Sequence, residues 1–145
     1  MVARFTLSAP IGRPGAAHTE WKADMPRFAR RIRPFVNAEL SDARAADQAG
    51  DARRAFAHLE RAHVLSQAST LAHVRVHWRM LRWGLRQGHA REVLGQVVRI
   101  VGAATKTAVG LVPAGNTGGA NVNPFRRMPI APELAAILRS AQRDR

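Results

Sequence analysis

The stretch Leu71-Ala72-His73-Val74-Arg75-Val76-His77-Trp78-Arg79-Met80-Leu81-Arg82-Trp83-Gly84-Leu85-Arg86-Gln87 decides how this chain must fold. At about 100° per residue, Arg75, Arg79, Arg82 and Arg86 fall within one narrow stripe, and His73, His77, Met80 and Gly84 fall opposite it. Val74, Trp78 and Leu85 take one flank, Val76 and Trp83 the other. A helix apolar on three sides needs neighbours on three sides, so this reads as a central helix, wetted only along its arginines, that carries two histidines inward. Ser69 or Thr70 can cap its start, and Gly88 ends it.

Outward from that helix the same period recurs. Asp51 supplies an N-cap for a helix over Ala52 to Leu65, in which Ala55, Phe56, Leu59, Ala62 and His63 return at helical spacing. An earlier helix runs from Asn37 through Ala49 to Gly50, and a later one from Ala90 to Ala104. The joints Ala49-Gly50-Asp51-Ala52-Arg53 and Gln87-Gly88-His89-Ala90-Arg91 lie 38 positions apart, and each closes a helical hairpin. With Ala45, Ala55 and Ala62 as small packing positions, the first hairpin is similar to a tetratricopeptide unit, but two copies are fewer than the three such arrays need.

Beyond Gly110, the segment Leu111-Val112-Pro113-Ala114-Gly115-Asn116-Thr117-Gly118-Gly119-Ala120-Asn121 continues as a long loop to Pro132. That proline opens a short helix with Leu134, Ile137, Leu138 and Ala141 on one face. Residues 1–36 hold prolines at 10, 14, 26 and 34 and seven basic against two acidic residues, and read as an irregular basic arm with a turn of helix over Met25 to Arg31. No run reads as a strand. The expected architecture is all-α: an antiparallel bundle of tetratricopeptide-like hairpins over 37–145, preceded by the arm and completed by the Gly-rich loop and short terminal helix.

Composition narrows the chemistry. A chain of 145 residues with 46% apolar content supports one core and not two. It has no cysteine, which excludes disulfides, thiolate metal sites and thiol catalysis. Lys plus Arg number 23 against 10 acidic residues, a net +13 that comes almost wholly from arginine, since only Lys22 and Lys106 are lysines. Acidic partners suit such a charge. The N-terminal residues lack the unbroken apolar run of a signal peptide, which points to a cytoplasmic protein. Val93 to Val112 is interrupted by Gln96, Arg99 and Lys106, and reads as a core helix with its continuation instead of a membrane span.

On the helix over 52–65, Glu60 and His63 share a face with Phe56, Leu59 and Gln67, whereas His58 lies far round near Arg54 and Arg61. Glu-x-x-His from one helix is an element of carboxylate-bridged metal bundles, to which other helices add single glutamates. Here that residue is Glu39, on the side of its helix that holds Phe35, Ala43 and Ala46. His73 and His77, one turn apart, converge above their helix. The candidate ligand set is therefore Glu39, Glu60, His63, His73 and His77, with Gln67 supporting the ligands from behind. Such donors, without thiolate, favour zinc, iron, manganese or nickel. The job would be metal handling or a metal-dependent activity, in which Glu39 or Glu60 is the base. A closed His–Glu hydrogen-bond network would satisfy the same buried groups.

Two further features carry chemistry. The glycines and amides of Gly115, Asn116, Thr117, Gly118, Gly119 and Asn121 could form an anion-binding nest or a lid, although they match neither a phosphate-binding P-loop nor a dinucleotide loop. The stripe of Arg75, Arg79, Arg82 and Arg86 could dock an acidic protein or nucleic acid, which gives the alternative of a helical interaction scaffold with a purely structural His/Glu cluster.

Three separated motifs carry a family resemblance: Phe56-Ala57-His58-Leu59-Glu60-Arg61-Ala62-His63-Val64-Leu65-Ser66-Gln67, then His73 with His77-Trp78-Arg79-Met80-Leu81, then Gly115-Asn116-Thr117-Gly118-Gly119-Ala120-Asn121-Val122 with Met128-Pro129-Ile130. From about Asn37 to Leu138 the chain resembles a bacterial family of small proteins catalogued as domain of unknown function 3703. The resemblance implies a compact helical domain whose motif residues include Glu60, His63, His73 and His77. The arm over 1–36 extends beyond the family pattern.

Overall fold

The structure, a computed structural model, describes residues 16–106 and 114–142, with side chains described for 27–102 and 114–142. These residues form five helices and no strand: α1 (Ala16–Gln48), α2 (Ala52–Ser66), α3 (Thr70–Arg86), α4 (Ala90–Lys106) and α5 (Pro132–Gln142). Gly50 and Gly88 close the α1–α2 and α3–α4 hairpins at φ of +79° and +68°, a left-handed conformation that strains any residue with a Cβ. Asp51 caps α2 by accepting the Arg54 backbone N–H at 2.9 Å. The two hairpins meet where α2 packs on α3, and α5 returns across α1 and α2.

The core is built from Ile32, Val36, Leu40, Ala43 and Ala46 of α1, Ala55, Leu59, Ala62 and Leu65 of α2, Val76 and Met80 of α3, and Leu134 and Ala141 of α5. The four alanines on the facing stripes of α1 and α2 let those two axes approach closely. Arg61 of α2 ties the seam at its edge, donating to Glu39 of α1 and to Glu133 of α5, each at 2.8 Å.

Three expectations need correction. The helix expected to begin at Asn37 begins at Ala16, so residues 16–36 belong to α1 and not to an irregular arm. Phe28, Ile32 and Val36 recur every fourth residue and are buried with α5, and Arg31 donates to the Ala141 carbonyl at 3.2 Å. That burial outweighs the helix-breaking tendency of Pro26 and Pro34. The arm's first 15 residues lie outside the described residues.

α3 is wet on more than its arginines. Val76 and Trp83 are buried as expected, but Trp78 is 52% and Leu85 62% exposed, because α2, α4 and the edge of α1 leave that flank uncovered among the described residues. α4, expected in the core, is the outermost helix and packs, among the described helices, on α3 alone. Its amphipathicity is inverted: Gln96 is fully buried, while Leu94, Val97, Val98 and Val101 are exposed. The expected continuation over 107–112 lies outside the described residues. No described helix is long and apolar enough to cross a membrane.

If residues 16–36 are integral to the core, Ile32→Ala lowers the unfolding free energy by about 2–5 kcal/mol, as for any fully buried aliphatic truncation. Urea denaturation checks this, and a loss below about 0.5 kcal/mol would return the segment to the status of an appendage.

Candidate metal centre

The last turn of α2 supplies His63, and two successive turns of α3 supply His73 and His77. All three are buried, at 2–3% exposure. Because α2 and α3 are joined by a short connection and pack face to face, the inward stripe of each brings its imidazoles to one point. The Nε2 atom of His63 stands 2.7 Å from Nε2 of His73 and 3.2 Å from Nε2 of His77. One donor nitrogen from each ring lies within 4.8 Å of those of the other two. Three nitrogens held about 2.0–2.1 Å from one tetrahedral ion stand roughly 3.3 Å apart, close to the His63–His77 spacing.

Behind two of the rings, the hydrogen bonds set the tautomers. His63 Nδ1 lies 2.8 Å from the Asn116 carbonyl, which only accepts, so Nδ1 carries the proton. Gln67 holds that carbonyl in place by donating to it at 3.0 Å while accepting the Gly115 N–H at 3.1 Å. His77 Nδ1 lies 2.6 Å from Gln96 Oε1. The orientation of the Gln96 amide is fixed, since its nitrogen donates to Glu92 at 2.6 Å and to the Gly118 carbonyl at 2.8 Å. Hence His77 also donates from Nδ1. In the neutral rings, both facing Nε2 atoms therefore present lone pairs to one another, and a proton on His73 Nε2 could satisfy only one of them.

Protonating the cluster is disfavoured. Burial, reinforced by His73 and His77, holds His63 well below the ordinary imidazole range despite the opposing Asn116 carbonyl. Burial, with His77 and Arg99 nearby, pushes His73 down to about 3. His77 falls to about 4, again chiefly through burial, with its bond to Gln96 opposing and Arg99 adding. Lone pairs that converge without a proton are suited to a cation, and histidines whose second nitrogen donates to a carbonyl or amide oxygen are the form in which proteins present imidazole to metals.

The Gly-rich loop closes over this centre. Gly118, at φ +82°, lies against the His63 ring so tightly that a Cβ there would come within 2.6 Å of Cδ2. Asn116 braces the loop from inside, donating to the carbonyls of Asn123 and Arg126 and accepting the Gly118 N–H. Arg99 of α4 donates to the carbonyls of Gly119 and Val122. On its remaining side the triad borders a cavity of about 640 Å³, walled by Leu94, Val98, Arg99, Val122 and Phe125. An ion on the three histidines would thus have a coordination position facing open space.

Of the five ligands expected from sequence, the structure brings together His63, His73 and His77 and leaves out both glutamates. Glu39 is a correction: its carboxylate pairs with Arg61 at 2.8 Å and with His58 at 2.7 Å, because α2 turns its other face to α1. The Glu39 donor atom groups instead with those of Asp42 and His58, apart from the triad, and Glu60 is in neither group. It is half-buried beneath Gly119, its carboxyl raised by burial and by Glu92, against the lowering effect of the Thr117 hydroxyl. Thr117, although close to that carboxyl, meets no partner at good hydrogen-bond geometry. Gln67 lies behind His63 through Asn116. In the loop, the amides of Gly115, Gly118 and Ala120 are taken by Gln67, Asn116 and Glu92.

In the arginine stripe, Arg86 pairs with Asp47 at 2.7 Å and Arg75 donates to Asn37 at 2.9 Å. Burial first, then Arg44, Arg75, Arg82 and Arg86, depress the Arg79 guanidinium. Sequence reasoning missed Gln96, Glu92 and Arg99 as parts of the site. The signal was present, because Gln96 and Arg99 were two of the three polar interruptions in the apolar run over 93–112, one turn apart.

A family model described as "Protein of unknown function (DUF3703)" matches residues 30–138, which include the triad, Gln96 and the whole Gly-rich loop. No curated protein and no solved structure matches the chain. With most of its length covered by that model, the chain belongs to the DUF3703 family.

Proposed function

We propose that this protein binds one divalent metal ion through Nε2 of His63, His73 and His77. The observation that carries the reading is the convergence of three buried imidazole nitrogens, two of them locked as lone-pair donors by the Asn116 carbonyl and the Gln96 amide. Neutral nitrogen donors favour zinc, iron or nickel, with manganese less suited in the absence of a carboxylate ligand. The position facing the cavity gives the ion room to bind a further ligand, as metal handling and metal-dependent chemistry both require. Glu39 has no part in this reading, and Glu60 contributes to the electrostatics beneath the loop.

A second reading rests on the guanidinium groups of Arg44, Arg75, Arg79, Arg82 and Arg86, which crowd one face, with Asp47 pairing Arg86. That face offers an acidic protein or nucleic acid a docking surface that has no need of the triad.

Protein purified without a polyhistidine tag from metal-replete medium is expected to contain close to one equivalent of metal by elemental analysis. His63→Ala and His77→Ala should each reduce this below about a tenth of an equivalent, since two imidazoles seldom retain an ion through purification. Wild-type protein below a tenth of an equivalent would reject the reading.

The metal-free protein should lose stability on acidification. The unfolded histidines titrate near 6.5 and the folded ones below about 4, so the unfolded chain binds more protons between those limits and stability rises with pH there. Urea midpoints of chelator-treated protein should fall from pH 7 to pH 5, by on the order of 1 kcal/mol per pH unit for each histidine concerned. His73→Leu should flatten the profile, and an unchanged midpoint in the wild type would contradict the burial of neutral rings.

If the arginine face docks nucleic acid, affinity for a mixed-sequence duplex should fall steeply between 50 and 200 mM salt and on Arg79→Glu or Arg82→Glu, and be indifferent to chelator. Binding that is weak at low salt, or unaltered by both charge reversals, counts against that use of the face.

A further inference from the structure

Resting on the metal reading above, we infer that the cavity beside the triad receives a small organic carboxylate, its head group on the metal and Arg99 and its apolar body against Leu94, Val98 and Phe125. The charge of the lining points to an anion. Besides the three histidines, the charged residues bordering the cavity are Arg91 and Arg99, and no carboxylate lines it among the described residues. Three neutral imidazoles leave the charge of a divalent ion uncompensated, and Arg99 adds a further positive charge beside it.

Arg99 is half-buried, which depresses it, and the charge of Glu92 opposes that shift. Among the described residues it makes no ion pair; the carbonyls of Gly119 and Val122 that it bonds orient the guanidinium without neutralising it. Glu92 is occupied elsewhere, accepting from Gln96 and from the Ala120 N–H. A partly desolvated, oriented guanidinium next to an open metal position suits a planar, two-oxygen anionic head.

The rest of the wall favours an apolar body. Leu94 and Val98 are 66–69% exposed although they border a concave space, so apolar surface is left uncovered along it. This also accounts for the inverted amphipathicity of α4, which presents Gln96 and Arg99 to the centre and Leu94 and Val98 along the cavity rim. A cavity of about 640 Å³ is the size of a small-molecule site.

The test uses untagged full-length protein loaded with Co(II), whose visible bands report its ligands, titrated with octanoate and, separately, with octylamine. Octanoate should saturate and shift the Co(II) bands, and octylamine should bind at least roughly tenfold more weakly. At equal Co(II) content, Val98→Glu, an exposed substitution that sets a carboxylate on the rim, and Arg99→Gln should each weaken octanoate by roughly tenfold or more. A loaded protein that ignores octanoate, binds it without spectral change, prefers octylamine, or binds octanoate equally well with Val98→Glu overturns this inference and leaves the metal reading standing. A chain that takes up no Co(II) overturns both.

Discussion

Two acceptor oxygens, the Asn116 carbonyl and Gln96 Oε1, fix which nitrogen of His63 and His77 carries a proton, and the rest of the site follows from that constraint. With Nδ1 committed to donation, each Nε2 turns a lone pair toward its neighbour across 3.2 Å between buried rings. Polar groups in such a place are expected to find a partner, and like lone pairs do not supply one. A hydrogen-bonded imidazole network would satisfy the cluster only if the tautomers were free to alternate around the ring of three, which the bonds behind them prevent.

The fold is arranged around holding those two oxygens still. Gln96 is buried because α4 turns its polar edge inward, and its amide is pinned from both sides by Glu92 and the Gly118 carbonyl. Asn116 is buried because the Gly-rich loop lies over His63 and Gln67 at the end of α2, with Gly118 so close to His63 that no larger residue fits. The helices α1, α2 and α5 supply most of the apolar core, and α3 connects that core to the site, with Met80 in the first and His73 and His77 in the second.

Much of this was legible from side-chain period. The inward placement of His63, His73 and His77 follows from helical spacing alone, as does the pairing of hairpins at Gly50 and Gly88. Period could not tell which neighbour a polar residue meets. Glu39 is nearly buried, as its stripe implied, yet the angle at which α2 meets α1 sets it against Arg61 and His58. Likewise the apolar run of α4 read as a core helix because hydropathy counts residues and not partners. The decisive residue in that run was its one buried amide. The helical course of residues 16–36 was obscured by Pro26 and Pro34, whose local cost is exceeded by the burial of Phe28, Ile32 and Val36.

The tautomers themselves offer the most direct test. Long-range proton–nitrogen correlation spectra of the imidazoles, recorded on chelator-treated protein at pH 7 and again with one equivalent of Zn(II), report the protonated nitrogen of each ring. The account predicts Nδ1–H for His63 and His77 in both states, and a large shift of Nε2 in all three triad histidines when zinc is added. Nε2–H tautomers at His63 or His77, or Nε2 resonances that zinc leaves in place, would contradict it.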